Sequence, residues 1–349
     1  MLSIIHRYTY LVIYSYLLNM LFFYLQSSSY IEASPLHLAI SANRRDVIEL
    51  MIKELDADLE LEIHKGQTPL WGAVDTDNVP VTKQLLEYGA RVNHRDWYGK
   101  TPLFTAVLLG QPALVELLIS HGADVNILAY FDAREDRCNL RGGTTALQQA
   151  LMDYECFCSE FRFDRSLAAL NTRINEHVRV IKLLVPHCKC FDVTSLEDVT
   201  SGITQPCVQY CFMIESQHCD DLRITKFMLR NGATADFGAF YETVKDHHSN
   251  ADLVTASFAK LCLLSGCTFT EYFVKLRQEK EQGPAGQDHR AKHVHALVKD
   301  LFSQPPSLQE LSIMATRKRM GSRQLWAKID ALPEGIPRHV KDLIQLKMY

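Results

Sequence analysis

A short motif returns at an almost fixed step through the first part of this chain, and that regularity limits the fold more than any other property of the sequence. Ser34-Pro35-Leu36-His37-Leu38-Ala39 is followed by Thr68-Pro69-Leu70-Trp71-Gly72-Ala73 and by Thr101-Pro102-Leu103-Phe104-Thr105-Ala106, at steps of 34 and 33 residues. A weaker copy is Thr145-Ala146-Leu147-Gln148-Gln149-Ala150. Proline in a first helical turn sets φ where no N–H partner is needed, and the Ser or Thr before it can cap the helix. Gly89-Ala90 and Gly122-Ala123, again 33 apart, supply the left-handed residue that ends a second helix. Each unit keeps one apolar face that only a neighbouring unit can cover, so several must stack and the end units must differ.

The second-helix pattern continues as Val180-Ile181-Lys182-Leu183-Leu184, Phe227-Met228-Leu229-Arg230-Asn231-Gly232-Ala233 and Leu261-Cys262-Leu263-Leu264-Ser265-Gly266-Cys267. About six units are expected between Tyr30 and Thr270, with inserts near 127–143 and 152–175. The motif and period resemble the ankyrin repeat, which implies an all-α solenoid with projecting hairpin loops. Trp97-Tyr98, between Asp96 and Gly99, falls at a hairpin tip, where large aromatics have little core to fill. Two readings stay open there: anchors for a target protein, or packing against the adjacent hairpin. Trp71, inside a first helix, is expected in the core.

The chain divides into a hydrophobic N-terminal segment at 1–29, the repeat array at 30–270, a linker or capping segment at 271–306 and a tail at 307–349. In the tail, Leu308, Leu311, Ser312 and Ala315 fall at helical spacing. Trp326, Ile329 and Leu332 extend the apolar surface, and Val340, Leu343 and Ile344 repeat the pattern after two prolines. A piece of roughly 40 residues rarely holds a core of its own, so the tail is expected to dock on something else.

Ser307 to Gly321 looks like the first half of a SOCS box, and Leu332-Pro333-Glu334-Gly335-Ile336-Pro337 resembles its cullin box with Glu334-Gly335 inserted. Repeats followed by this tail resemble the ankyrin repeat and SOCS box family. The resemblance implies a substrate receptor of a cullin-RING ubiquitin ligase, with elongin C and its companion elongin B on Leu308, Leu311, Ser312 and Ala315. It also implies cullin-5 with its RING partner on Leu332, Pro333, Ile336 and Pro337, and an unidentified substrate protein on the repeats. Ser312 stands where the family often has cysteine and Thr316 where an aliphatic residue is usual, so each buries less apolar area at about 25 cal/mol per Å². The rival readings are a plain ankyrin scaffold with a degenerate tail that could instead cap the last repeat, and an ankyrin adaptor anchored in a membrane through Tyr8 to Leu25.

A net charge of -4 argues against a nucleic-acid surface, and the one basic run, Arg317-Lys318-Arg319, reads as a solvated helix face. Cysteine pairs such as Cys207 and Cys211 lie close in sequence, but at a first-helix position they are expected to pack as free thiols and not to hold zinc. His247-His248 and His293-Val294-His295 are expected on exposed helices or loops. No phosphate loop, dinucleotide fingerprint or positioned nucleophile is present, so no cofactor, metal or catalytic residue is expected. Thiols and the lack of glycosylation sequons suit the cytoplasm. Tyr8 to Leu25 runs without a charge, and three readings of it stay open: a membrane-inserted helix, a buried cap, or a start dispensable to the fold.

Overall fold

Helices make up most of the computed structural model, which describes residues 34–129, 144–163, 168–188, 196–197, 204–205, 207–219, 221–245, 250–282, 289–303, 306–321, 325–333 and 336–347. The uncharged run Tyr8 to Leu25 and Cys138 lie outside these residues, as do His247, His248, Glu334 and Gly335. Among the described residues no helix is long and apolar enough to cross a membrane. The chain forms two compact units, one ending near residue 146 and one running from Leu147 to the C-terminus.

Among the described residues the first unit holds three helix pairs: α1 Pro35–Ser41 with α2 Arg45–Lys53, α3 Pro69–Asp75 with α4 Val79–Glu87, and α5 Pro102–Leu108 with α6 Pro112–Ser120. The caps are those the motif predicts. Ser34, Thr68 and Thr101 each accept a hydrogen bond from the backbone N–H three residues on, with proline in the first turn. Asn43, Asp77 and Gly110, 34 and 33 apart, turn the chain between paired helices at positive φ. Gly89 at 93° and Gly122 at 87° end the second helices, a conformation in which a side chain would be strained. Packing follows the same step: Leu36, Ala39 and Ile40, then Leu70, Ala73 and Val74, then Leu103, Ala106 and Val107 are buried where α1, α3 and α5 stack. Trp71 departs from expectation, being only half-buried, whereas His37 and Phe104 at the same position of the neighbouring units are buried.

The second unit begins with two long helices, α7 Ala146–Phe163 and α8 Ala168–Leu184. The 152–175 insert therefore extends a helix pair on either side of 164–167. A two-residue antiparallel ladder, β1 Leu196–Glu197 on β2 Thr204–Gln205, precedes α9 Cys207–His218 and α10 Arg223–Arg230. Next come α11 Phe237–Lys245, α12 Ala256–Ser265, α13 Thr270–Gln282 and α14 His289–Ser303. Most of the segment expected as linker is thus helical. Its core is aromatic: Phe212 stacks on Phe258 at 5.5 Å and Phe237 on Phe269 at 4.6 Å. His295, expected to be exposed, stacks on Tyr241 at 5.3 Å and lies 2.6 Å from the Tyr272 hydroxyl. Cys207 and Cys211 are buried, as expected of packing cysteines.

One buried charge organises the turn between α9 and α10. The Glu215 carboxylate accepts from Ile224 N at 2.7 Å, Thr225 N at 2.9 Å and Thr225 Oγ1 at 2.7 Å, capping α10 from the preceding helix. Burial pushes its pKa from 4.5 to about 7, against the pull of these donors. The folded state therefore holds a proton that the unfolded state has released between those two values, so stability falls as pH rises through that window and levels off above it. Chemical denaturation across pH 4.5 to 8 is expected to give Glu215→Gln a flatter profile, the wild type losing up to about 3 kcal/mol that the variant retains. Parallel profiles would contradict this.

Candidate protein-binding surfaces

The tail forms α15 Leu308–Met320, α16 Leu325–Asp330 and α17 Arg338–Ile344. Ser307 and Glu310 start α15 with a capping box: Ser307 Oγ accepts from Glu310 N at 3.2 Å, and Glu310 Oε2 accepts from Ser307 N at 2.8 Å. Glu310 also pairs with Lys260 of α12, and that ammonium, with the Ser307 N–H, holds its carboxyl below the usual range. The first turn is thereby fixed in place.

Helical spacing then separates two faces. Leu308 is 86% exposed and Leu311 47%, and Ser312 and Ala315 are exposed beside them, so the four expected contact residues form one outward stripe. Thr316 is half-buried, and its hydroxyl donates to the Ser312 carbonyl at 2.8 Å. On the opposite face Ile313 and Arg317 are each only 4% exposed. Removing a leucine as open as Leu308 from water releases on the order of 2 kcal/mol, which this chain leaves unused.

Arg317 corrects the solvated-face reading of the basic run. Its Nη2 donates to Leu229 O at 2.9 Å, and its Nη1 to Arg230 O at 3.2 Å and Ile344 O at 2.8 Å. The last carbonyls of α10 and of α17, which a helix cannot satisfy internally, thus share one guanidinium. Burial lowers its pKa to about 10, so it stays cationic. Sequence reasoning missed this residue, although its i+4 offset from Ile313 puts it on the face opposite the stripe. The tail accordingly docks on its own chain through one side while presenting the other.

Behind α15 the tail has a small core of Leu325, Ile329 and Ile344, with Met320, Leu332 and Val340 packed against it. Leu332 and Ile336 are half-buried, while Pro333 and Pro337 are exposed. Ile336 N donates to Pro333 O at 3.0 Å, and Lys341 Nζ donates to Leu332 O at 2.8 Å, which fixes the chain leading into α17. The four residues expected to meet a cullin are therefore gathered on one short, braced segment, with the prolines outward.

In the first unit Trp97 is 73% exposed. Its backbone N–H donates to Lys65 O at 2.9 Å, and a Cβ on Gly66 would come within 2.6 Å of the indole, so the ring lies over the neighbouring hairpin. Tyr98 is half-buried between the ammonium groups of Lys65 and Lys100, at 5.5 and 5.7 Å from its ring centre. Asp96 Oδ1 accepts from Tyr98 N and Lys100 N at 2.9 and 2.7 Å, which makes the tip rigid. The indole therefore packs on a neighbour and still keeps most of its surface. Among the described residues no group of three His, Cys, Asp or Glu side chains is placed to hold a metal ion.

Residues 36–129 match the ankyrin repeat family in three copies. Over 65 residues the chain is 37% identical to mouse Ankyrin repeat and SOCS box protein 11, and 34% identical to the human and Sumatran orangutan (Pongo abelii) proteins of that name. The matched stretch covers 19% of this chain and spans about a fifth, 20%, of the length of those relatives. Residues 36–129 are thus ankyrin repeats, and part of the chain is similar to proteins that join such repeats to a SOCS box.

Proposed function

We propose that this chain is a protein-binding adaptor, the substrate receptor of a cullin-RING ubiquitin ligase, and not itself an enzyme. The carrying observation is the stripe led by Leu308, 86% exposed on a helix whose opposite face is locked by Arg317. A leucine in that setting is positioned for another chain's groove, where an amphipathic helix is read through anchors at i, i+3, i+4 and i+7. The name of the relatives, which couples repeats to a SOCS box, supports elongin C with elongin B as that other chain. Cullin-5 and its RING partner would follow through Leu332, Pro333, Ile336 and Pro337. Ubiquitin transfer then depends on proximity, since a receptor raises the effective concentration of a target lysine near a charged E2 without contributing a reacting group.

Co-expression with elongins B and C tests the reading: recovery of a stoichiometric ternary complex supports it, and purification of the chain alone under the same conditions favours a tail that only closes the repeats. Trp97 is the proposed anchor for the target. Trp97→Ala is expected to weaken target capture about tenfold or more, measured by quantitative cross-linking mass spectrometry, while shifting stability by less than about 0.5 kcal/mol. Unchanged capture would remove Trp97 from the binding face.

A further inference from the structure

The second unit carries a pair of cysteines that the adaptor reading does not use. Tyr154 and Cys158, one turn apart on α7, meet Cys219, which follows the end of α9. Cys158 Sγ lies 3.8 Å from Cys219 Sγ, and the Tyr154 hydroxyl lies 3.3 Å from the same Cys219 sulfur. Cys158 is 2% exposed and Cys219 is partly exposed, so Cys219 is the more accessible residue of the two. Hydrogen bonds from Cys158 and Tyr154 hold the Cys219 thiol below its ordinary pKa, while its hydrogen bond to Cys219 and burial push Cys158 upward. That division suits an attacking and a resolving thiol. One backbone and one side-chain hydrogen bond hold the arrangement: Cys219 N donates to Glu215 O at 3.0 Å, and the Tyr210 hydroxyl of α9 donates to the Glu155 carboxylate of α7.

The geometry points to Cys219 and Cys158 as a peroxide-responsive modification site that closes to a disulfide between α7 and the α9–α10 turn. The Cys219 thiolate attacks a hydroperoxide oxygen and the O–O bond breaks. The departing oxygen takes up the proton that Cys219 released and leaves as water or an alcohol, and Cys219 becomes a sulfenic acid. The Cys158 sulfur then attacks the Cys219 sulfur, the S–O bond breaks, and the hydroxide leaves with the Cys158 proton as water. Two thiols and one hydroperoxide thus give one disulfide, one water and one water or alcohol. A dithiol reductant reverses the link by exchange. Closing the gap to the ~2.05 Å of a disulfide asks for a movement of about 2 Å, within reach of side-chain rotation and a small shift past the end of α9.

The test is hydrogen peroxide added to the reduced, folded full-length chain, with free thiols then alkylated and peptides mapped without reduction. The expected result is a Cys158–Cys219 cross-linked peptide pair, about 2 Da lighter than the two thiol peptides and restored by dithiothreitol. In Cys158→Ala the sulfenic acid on Cys219 should persist and take up dimedone, and in Cys219→Ala no cross-link to Cys158 should form. The proposal is overturned if the wild-type chain keeps Cys158 and Cys219 as thiols while the exposed Cys156 is oxidised, or if Cys219 pairs with Cys156. The wild-type map decides this even where a variant folds poorly.

Discussion

Leu308→Asp is expected to abolish capture of elongins B and C, a loss exceeding about a hundredfold, while leaving the melting temperature of the free chain unchanged. Both halves follow from one number, the 86% exposure of Leu308. A residue so open contributes little to the folded monomer, and surface substitutions of that kind stay within about 0.5 kcal/mol. In a partner's apolar groove the aspartate would lose its hydration without gaining a counter-charge, a penalty of several kcal/mol on top of the lost leucine contact. Leu308→Ala should fall between, weakening capture about tenfold or more. Titration calorimetry on the three proteins separates these outcomes. A Leu308→Asp chain that still binds would show that the stripe is not the contact.

The second large effect is expected at Arg317. Arg317→Met keeps most of the side-chain volume and removes every donor, taking the guanidinium from the carbonyls of Arg230 and Ile344 and leaving Leu229 O to the Gly232 N–H. Hydrogen bonds from a charged donor contribute about 1.5 to 3 kcal/mol each, and exposure of the carbonyls to water recovers part of that, so a net cost near 3 kcal/mol is reasonable. At that size the population of chains with an undocked tail rises on the order of a hundredfold. Hydrogen exchange over α15 and α17, with proteolysis after Arg319, should report the change. Arg317→Lys should rescue little, because one ammonium cannot span three carbonyls from two helix ends. Protection unchanged in both variants would show that Ile313 and Glu310 alone seat the tail.

What could be read before the structure was whatever repeats or obeys a helical period. Ser34, Thr68 and Thr101 announced their caps because a Ser or Thr before proline has one well-defined use, and Gly89 and Gly122 announced helix ends because few residues tolerate positive φ. The outward stripe at Leu308, Leu311, Ser312 and Ala315 followed from spacing alone. Arg317 was illegible because a cation is ordinarily solvated, and its partners are backbone carbonyls far away in sequence that leave no mark in residue types. The 152–175 insert interrupts the period while the helices on either side of 164–167 are long, a length that the repeat motif alone does not report. His295 was misjudged for the same reason as Arg317: Tyr241 and Tyr272, which enclose it, come from other helices.

On the proposed reading, a capped, half-open helix on repeats that bury their own faces lets one chain hold two partners and bring them together by proximity. The stripe is the element on which this depends. Hydrogen exchange of the wild-type chain, alone and with purified elongins B and C, measures it most directly. The account predicts one stoichiometric complex, with new protection concentrated on 307–316 and the Arg317-bound face equally protected in both states. Unaltered exchange at 307–316 with no co-eluting complex would contradict it.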